Sequence, residues 1–196
     1  WQVVASVQAI SEAHLLSVIE EMLAQFPFEI LGFHADNGSE YVNYKVARLL
    51  DKLRIEFTRS RPRHSNDNGL AETKNGAVVR KEFGYAHIHR RHAARFDTFC
   101  REYLNPFLNY HRPCLFATEL ADPKKPGRIK RVYRPRDVMT PLDKLASLPD
   151  AASFLRPGVT LLELQQLARA LTDVQAAEEL NEARQALFRR AATRTG

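Results

Sequence analysis

The sequence is poor in cysteine: Cys100 and Cys114 are the two thiols among 196 residues. Two cysteines cannot build a disulfide framework, and these lack the spacing of a zinc site, so a reducing, cytoplasmic setting is expected. Also missing is an apolar run of the roughly 20 residues that a membrane-spanning helix needs, and no signal peptide is visible, so no membrane partner is expected. No initiator Met opens the chain, which begins at Trp1 in strand-like residues; part of the protein is expected to precede it. From Pro123 to Arg136 there is no Asp or Glu at all, against seven Lys or Arg. What is present excludes wholesale disorder, because 44% of the residues are hydrophobic and a real core can form. The net charge of +6 and a pI near 9.5 favour a polyanionic partner.

Alternation over Trp1 to Val7, with frequent β-branched residues, predicts a strand. Ser11 then caps a helix carrying Leu15, Val18, Ile19, Met22, Leu23 and Phe26, which Pro27 closes. Phe28 to His34 reads as a buried central strand. Asn37-Gly38 is a turn signal, and Asn43 caps a helix with Val46, Leu49, Leu50 and Leu53. Ile55 to Thr58 is a further strand, Arg59 to Gly69 a polar loop, and Leu70 to about Lys81 a helix. Such alternation predicts an open α/β sheet with helices on its faces. Later, Phe96, Phe99, Cys100, Tyr103 and Leu104 line one helix that Asn105-Pro106 breaks or restarts. Thr160-x-x-Glu163 and Thr172-x-x-Gln175 are capping-box patterns that open the two arms of a helical hairpin. The chain divides into residues 1–115 (core), 116–148 (basic segment) and 149–196 (helical hairpin tail).

Two acids stand where chemistry could occur. Asp36 follows the Phe28–His34 strand, and strand ends are where open α/β sheets place their sites. Glu72 lies in the first turn of the helix after the polar loop, 35 residues further on. Phosphoryl transfer on DNA needs hard oxygen ligands for Mg²⁺, and carboxylates from different elements can converge on a metal pair. Yet Asp-Asn-Gly is also a common turn, and an acid near a helix start favours the helix dipole. On these two acids alone the structural reading would prevail.

The wider sequence changes that balance. His34-Ala35-Asp36-Asn37-Gly38-Ser39-Glu40-Tyr41 closely resembles the second-aspartate motif of retroviral-type integrases and bacterial insertion-sequence transposases. Asn68-Gly69-Leu70-Ala71-Glu72 resembles their Asn-Gly-x-x-Glu motif, and the gap of 35 residues matches the D-D-35-E signature. Asn109-Tyr110-His111-Arg112-Pro113 and Thr140-Pro141 look like the Tyr-Asn-x-x-Arg-Pro and Thr-Pro landmarks, with Asn and Tyr exchanged. The resemblance covers roughly residues 1 to 145. It implies a ribonuclease-H-like α/β fold, a mixed sheet flanked by helices and incomplete at the N-terminus. It further implies Mg²⁺, with Mn²⁺ as a substitute, held by Asp36 and Glu72 as the catalytic and metal-binding acids. The implied activity is DNA strand cleavage and strand transfer, with element ends and target DNA as partners and a homo-oligomer as the working form. The family's first aspartate lies two strands before the Trp1 strand. No Asp occurs in Trp1 to Ala35, and Glu12, Glu20, Glu21 and Glu29 do not fit the role, so an N-terminally truncated core without strand-transfer activity is expected. Ser65-Asn66-Asp67 replaces the Pro-Gln-Ser of many relatives, a change that would tune substrate handling.

DNA contacts are expected from Arg59, Arg61, Arg63 and His64, in the loop before Glu72, and from Asn75, which shares a helix face with Glu72. A solvated loop, or local backbone capping by Asn75, is the plain alternative. Lys124, Lys125, Arg128, Lys130 and Arg131, continued by Arg134 and Arg136, suit a DNA-backbone arm or else a solvated hairpin. His87, His89, Arg90, Arg91 and His92 read as a basic loop near DNA rather than a metal centre, since ligand spacing is absent. Two other functions remain open: a non-catalytic DNA-binding remnant of a transposase, and a helical protein-interaction module that binds no nucleic acid.

Overall fold

The structure, a computed structural model, describes residues 1–9, 11–35, 44–59, 75–121, 123 and 127–192. They fall into two compact units, residues 3–101 with 186–196, and residues 1–2 with 102–185.

In the first unit, helical spacing of apolar residues produces α1 (Glu12–Ala24) and α2 (Tyr44–Lys52). Between and after them run β1 (Gly32–Ala35) and β2 (Glu56–Arg59). The strands pair in parallel, Gly32 opposite Glu56 and Ala35 opposite Arg59. Parallel neighbours need a crossover, and α2 lies in that connection. α1 packs on α2 and α2 on β2. Leu15, Ile19, Val46, Leu49, Leu50 and Ile55 form the buried core, with Ile30, Phe33 and Phe57 against it. α2 ends in a Schellman motif: Ile55 N–H donates to the Leu50 carbonyl at 2.8 Å and Arg54 N–H to that of Asp51 at 2.9 Å. Arg54 itself takes the left-handed φ of 56° that glycine usually supplies. Its strain is offset because Ile55 and Leu50 both enter the core.

Three sequence expectations are corrected here. Ser11 does precede α1, but its Oγ meets His14 Nδ1 at 2.7 Å and caps no backbone N–H; a polar side chain one turn on competes successfully for the hydroxyl. The run Phe28–His34 is not a buried central strand. The β1–β2 ladder takes in Gly32–Ala35, Phe28 makes an isolated bridge, and Leu31 is 74% exposed. Core contacts reach Ile30 and Phe33 and leave Leu31 outside. Trp1–Val7 is no strand either. The Ser6 N–H donates to Asp97 Oδ1 at 3.2 Å. Alternation describes an extended segment, but a helix side chain here takes a hydrogen bond that a neighbouring strand would otherwise make.

The expected 70–81 helix is described from Asn75, as a wide i→i+5 turn over Asn75–Arg80 continued by α3 (Lys81–Phe83). Gly84 ends it with φ 72°. A 3₁₀ turn, Arg90–His92, leads into α4 (Ala93–Phe99). Phe83 packs on Phe96 and Phe99, and Phe96 edge-on against Phe188, with centroids 5.5 to 5.9 Å apart.

Asn105-Pro106 neither breaks nor restarts a helix. Both residues stay helical between two i→i+5 turns, Cys100–Leu104 and Phe107–His111. Proline removes an N–H and crowds the carbonyl four residues back, and a widened turn relieves both.

In the second unit β3 (Cys114–Leu115) pairs antiparallel with β6 (Val138–Met139), and β4 (Thr118–Ala121) with β5 (Ile129–Val132). Thr140 caps α5 (Pro141–Ala146), Thr160 caps α6 (Leu161–Arg169), and α7 (Asp173–Ala192) follows a turn. The Thr160/Glu163 box is complete, with Glu163 N–H to Thr160 Oγ1 at 3.2 Å and Thr160 N–H to Glu163 Oε2 at 2.9 Å. Thr172 and Gln175 make the same reciprocal pair at 3.2 and 2.9 Å. Among the described residues α6 packs on α5 and on the Phe107–His111 turn. Leu167 and Val174 are 58% and 67% exposed.

Candidate functional site

Because β1 and β2 are parallel and in register, their carboxyl ends meet at one edge, with Ala35 opposite Arg59. One residue inward, His34 Nδ1 and Thr58 Oγ1 are 2.9 Å apart across the pair, on the exposed side. This is the edge at which an open α/β sheet gathers ligand-binding groups. Asp36 follows Ala35 directly in sequence but lies outside the described residues, as do Glu72, Arg61, Arg63, His64, Lys124 and Lys125. Arg59 closes β2, and Asn75 opens the wide helical turn of Asn75–Arg80. Sequence reading missed the His34–Thr58 pair, although His34 stood in the quoted motif. A cross-strand partner 24 residues away leaves no local trace.

The basic arm is built on the β4–β5 hairpin. Gly127, at φ 81°, turns the chain before β5. Arg128, Lys130 and Arg131 are exposed. Successive strand residues face opposite sides, so Lys130 and Arg131 do not share a face. Arg131 stands opposite Glu119 in the register, and its Nε reaches Glu119 Oε1 at 3.2 Å. A stretch without acids in sequence is thus partly neutralised by the strand beside it.

The two downstream landmarks hold structure. Asn109, 2% exposed, takes the Gln2 N–H on Oδ1 at 2.8 Å. Its Nδ2 donates to the carbonyls of Gln2 at 2.7 Å and Asn105 at 2.8 Å. One side-chain amide therefore holds Gln2 by both backbone groups, as a neighbouring strand would. Tyr110 stacks edge-on with Trp1 at 5.4 Å, and burial pushes its phenol pKa up. His111, buried, places Nδ1 3.0 Å from Asp173 Oδ1 at the start of α7. Thr140 accepts the Asp143 N–H at 3.1 Å.

In the His87–His92 cluster, His92 is buried and its Nε2 accepts the Arg91 Nε–H at 3.1 Å. Burial first, then the charges of Arg91, Arg95 and His89, hold its imidazole below the usual value. Among the described residues no group of three or more His, Cys, Asp or Glu is placed to hold a metal ion. Burial, reinforced by Asp97, pushes the Cys100 thiol up to about 12. No helix among the described residues is long and apolar enough to cross a membrane.

No family model matches the chain, and no solved structure matches it. Over 88 residues it is 31% identical to uncharacterized protein y4rM of Sinorhizobium fredii (strain NBRC 101917 / NGR234). That match covers 45% of this chain and 25% of the Sinorhizobium protein, so the chain spans about a quarter of the relative's length.

Proposed function

We propose that the chain is part of a DDE-type DNA integrase/transposase core of ribonuclease-H-like fold. Its reaction is Mg²⁺-dependent DNA strand cleavage and strand transfer. The observation that carries this reading is the pair of motifs around Asp36 and Glu72, 35 residues apart. In support, Asp36 follows in sequence on the carboxyl end of a strand in a parallel β-α-β unit, the edge where such units bind ligands. Two carboxylates are the hard oxygen donors that suit Mg²⁺ or Mn²⁺. Asp36 and Glu72 would hold the metal, which would supply activation of the attacking oxygen and stabilisation of the leaving one. Arg59, Arg61, Arg63, His64 and Asn75 would fix the DNA backbone beside these acids. Arg128, Lys130, Lys124 and Lys125 would do so from the hairpin, with Arg131 shared with Glu119. Element ends and target DNA as partners, a homo-oligomeric working form and a cytoplasmic location belong to the same proposal.

A second reading is a non-catalytic DNA-binding remnant of a transposase. Among residues 1–35 there is no Asp; Glu12, Glu20 and Glu21 lie on α1 and Glu29 precedes β1. Plasmid nicking and end joining with Mg²⁺, by the full-length protein and by this chain, separate the two. The catalytic reading expects nicking by the full-length protein that Asp36→Asn or Glu72→Gln lowers at least about a hundredfold. Equal DNA affinity of all variants with no nicking by any leaves the binding module. No DNA affinity even at low salt removes both.

A further inference from the structure

Outside the strand edge, the first unit carries a cavity of about 370 Å³, bounded by the Ser6–Gln8 segment, by α1 and by the Arg90–Asp97 turn and helix. That volume lies within the roughly 300–1,000 Å³ range of small-molecule sites. Its lining is rich in donors. Arg90 and Arg91 enter from the 3₁₀ turn, His14 and Ser17 from α1, and Ser6 and Gln8 from the extended segment. The Arg90 guanidinium and the side chains of Ser6, Gln8 and Ser17 have no protein partner among the described residues. His14 uses Nδ1 for Ser11, and Arg91 uses Nε for His92. The one acid in the lining, Asp97, is already engaged: Oδ1 accepts the Ser6 N–H at 3.2 Å, and Oδ2 lies 4.0 Å from Arg101. Asp97 thus fixes one wall and is partly neutralised there.

We infer that this cavity binds a phosphate group, gripped by the Arg90 and Arg91 guanidiniums with the Ser6 and Ser17 hydroxyls and His14 completing the donor set. Guanidinium forks match the planar pairs of oxygens on a phosphate, and hydroxyls satisfy its remaining acceptors. Val7, Val18, Ala93 and Ala94 give the cavity an apolar side, suited to the sugar or carbon skeleton that carries the phosphate. The site uses neither Asp36 nor Glu72 and stands whether or not those acids catalyse. The phosphate can belong to a nucleic-acid backbone or to a free phosphorylated molecule.

The test uses the 196-residue chain, the double variant Arg90→Ser/Arg91→Ser, the single variant Ser17→Asp, and a charge-matched control, Arg169→Ser/Arg190→Ser. Binding of a labelled duplex is followed by anisotropy from about 50 to 200 mM salt, and the Tm shift by inorganic phosphate is read in parallel. Loss of two phosphate contacts lowers the log–log salt slope by about 1.8 and the low-salt affinity by at least about tenfold, with the control changing less than about threefold. Ser17→Asp weakens binding in the same direction by repelling the anion from inside the cavity. If duplex affinity is unchanged but phosphate raises the Tm of the native chain and of the control, and not of the two cavity variants, the source is a free phosphorylated molecule. Equal loss of duplex binding in cavity and control variants, with no Tm response to phosphate, overturns the site.

Discussion

The C-terminal helices and the N-terminal segment are held by opposite means. α6 and α7 begin in capping boxes whose partners are three residues apart, Thr160 with Glu163 and Thr172 with Gln175. Trp1–Val7 is held by side chains 107 and 91 residues away, Asn109 and Asp97. The first kind of bond is written in a four-residue pattern and costs little chain entropy to close. The second is invisible locally and is made by a single residue that no neighbour can replace. Losing a distant clamp should therefore cost more than losing a cap.

Asn109→Ala tests this most severely. It removes both Gln2 bonds and the Asn105 contact, and the expected loss in urea unfolding is about 2–4 kcal/mol, because partly buried backbone groups are left without partners. A loss below about 1 kcal/mol would show that water replaces the amide, and the contrast would collapse. Thr160→Ala and Thr172→Ala should each cost about 1 kcal/mol. The first cap has a pH signature. The hydroxyl and backbone N–H of Thr160 hold the Glu163 carboxyl below its ordinary value. Its contribution is therefore present above the unfolded pKa of about 4.3 and is lost as the pH falls through the lower folded value. Melting curves from neutral pH down to about pH 3 should show a larger decrement in the native chain than in Thr160→Ala, which keeps the backbone N–H bond; parallel curves would break the assignment. The smallest effect is expected at the Schellman turn. Arg54→Gly relieves the left-handed φ of 56° and should raise stability by about 0.5–1 kcal/mol, a modest upward shift in Tm. A fall would mean that the Arg54 side chain contributes more than its backbone costs.

The same division explains how much could be read from sequence. The helices over Glu12–Ala24 and Tyr44–Lys52, the strand at Glu56–Arg59 and both capping boxes follow from periodicity and short patterns. Periodicity failed where a residue's environment is set by the partner across space. Alternation in Trp1–Val7 met helix side chains instead of a strand. Pro106 was read as an interruption because a widened i→i+5 turn has no sequence signal of its own. In the candidate site, the motifs gave Asp36 and Glu72, and β1 ends just before Asp36. The Glu119 counter-charge to Arg131 lay across a hairpin and could be found only from the register.

The Asn109 clamp also bears on the order of events in folding. Closing the β1–β2 pair joins residues 24 apart, whereas bringing Gln2 to Asn109 spans 107. Chain entropy makes the longer closure costlier and rewards it only once the helix bearing Asn109 exists. The N-terminal residues are therefore expected to dock after the transition state. Weakening the clamp should then leave the refolding limb of a chevron nearly unmoved and steepen the escape from the native state, shortening its lifetime.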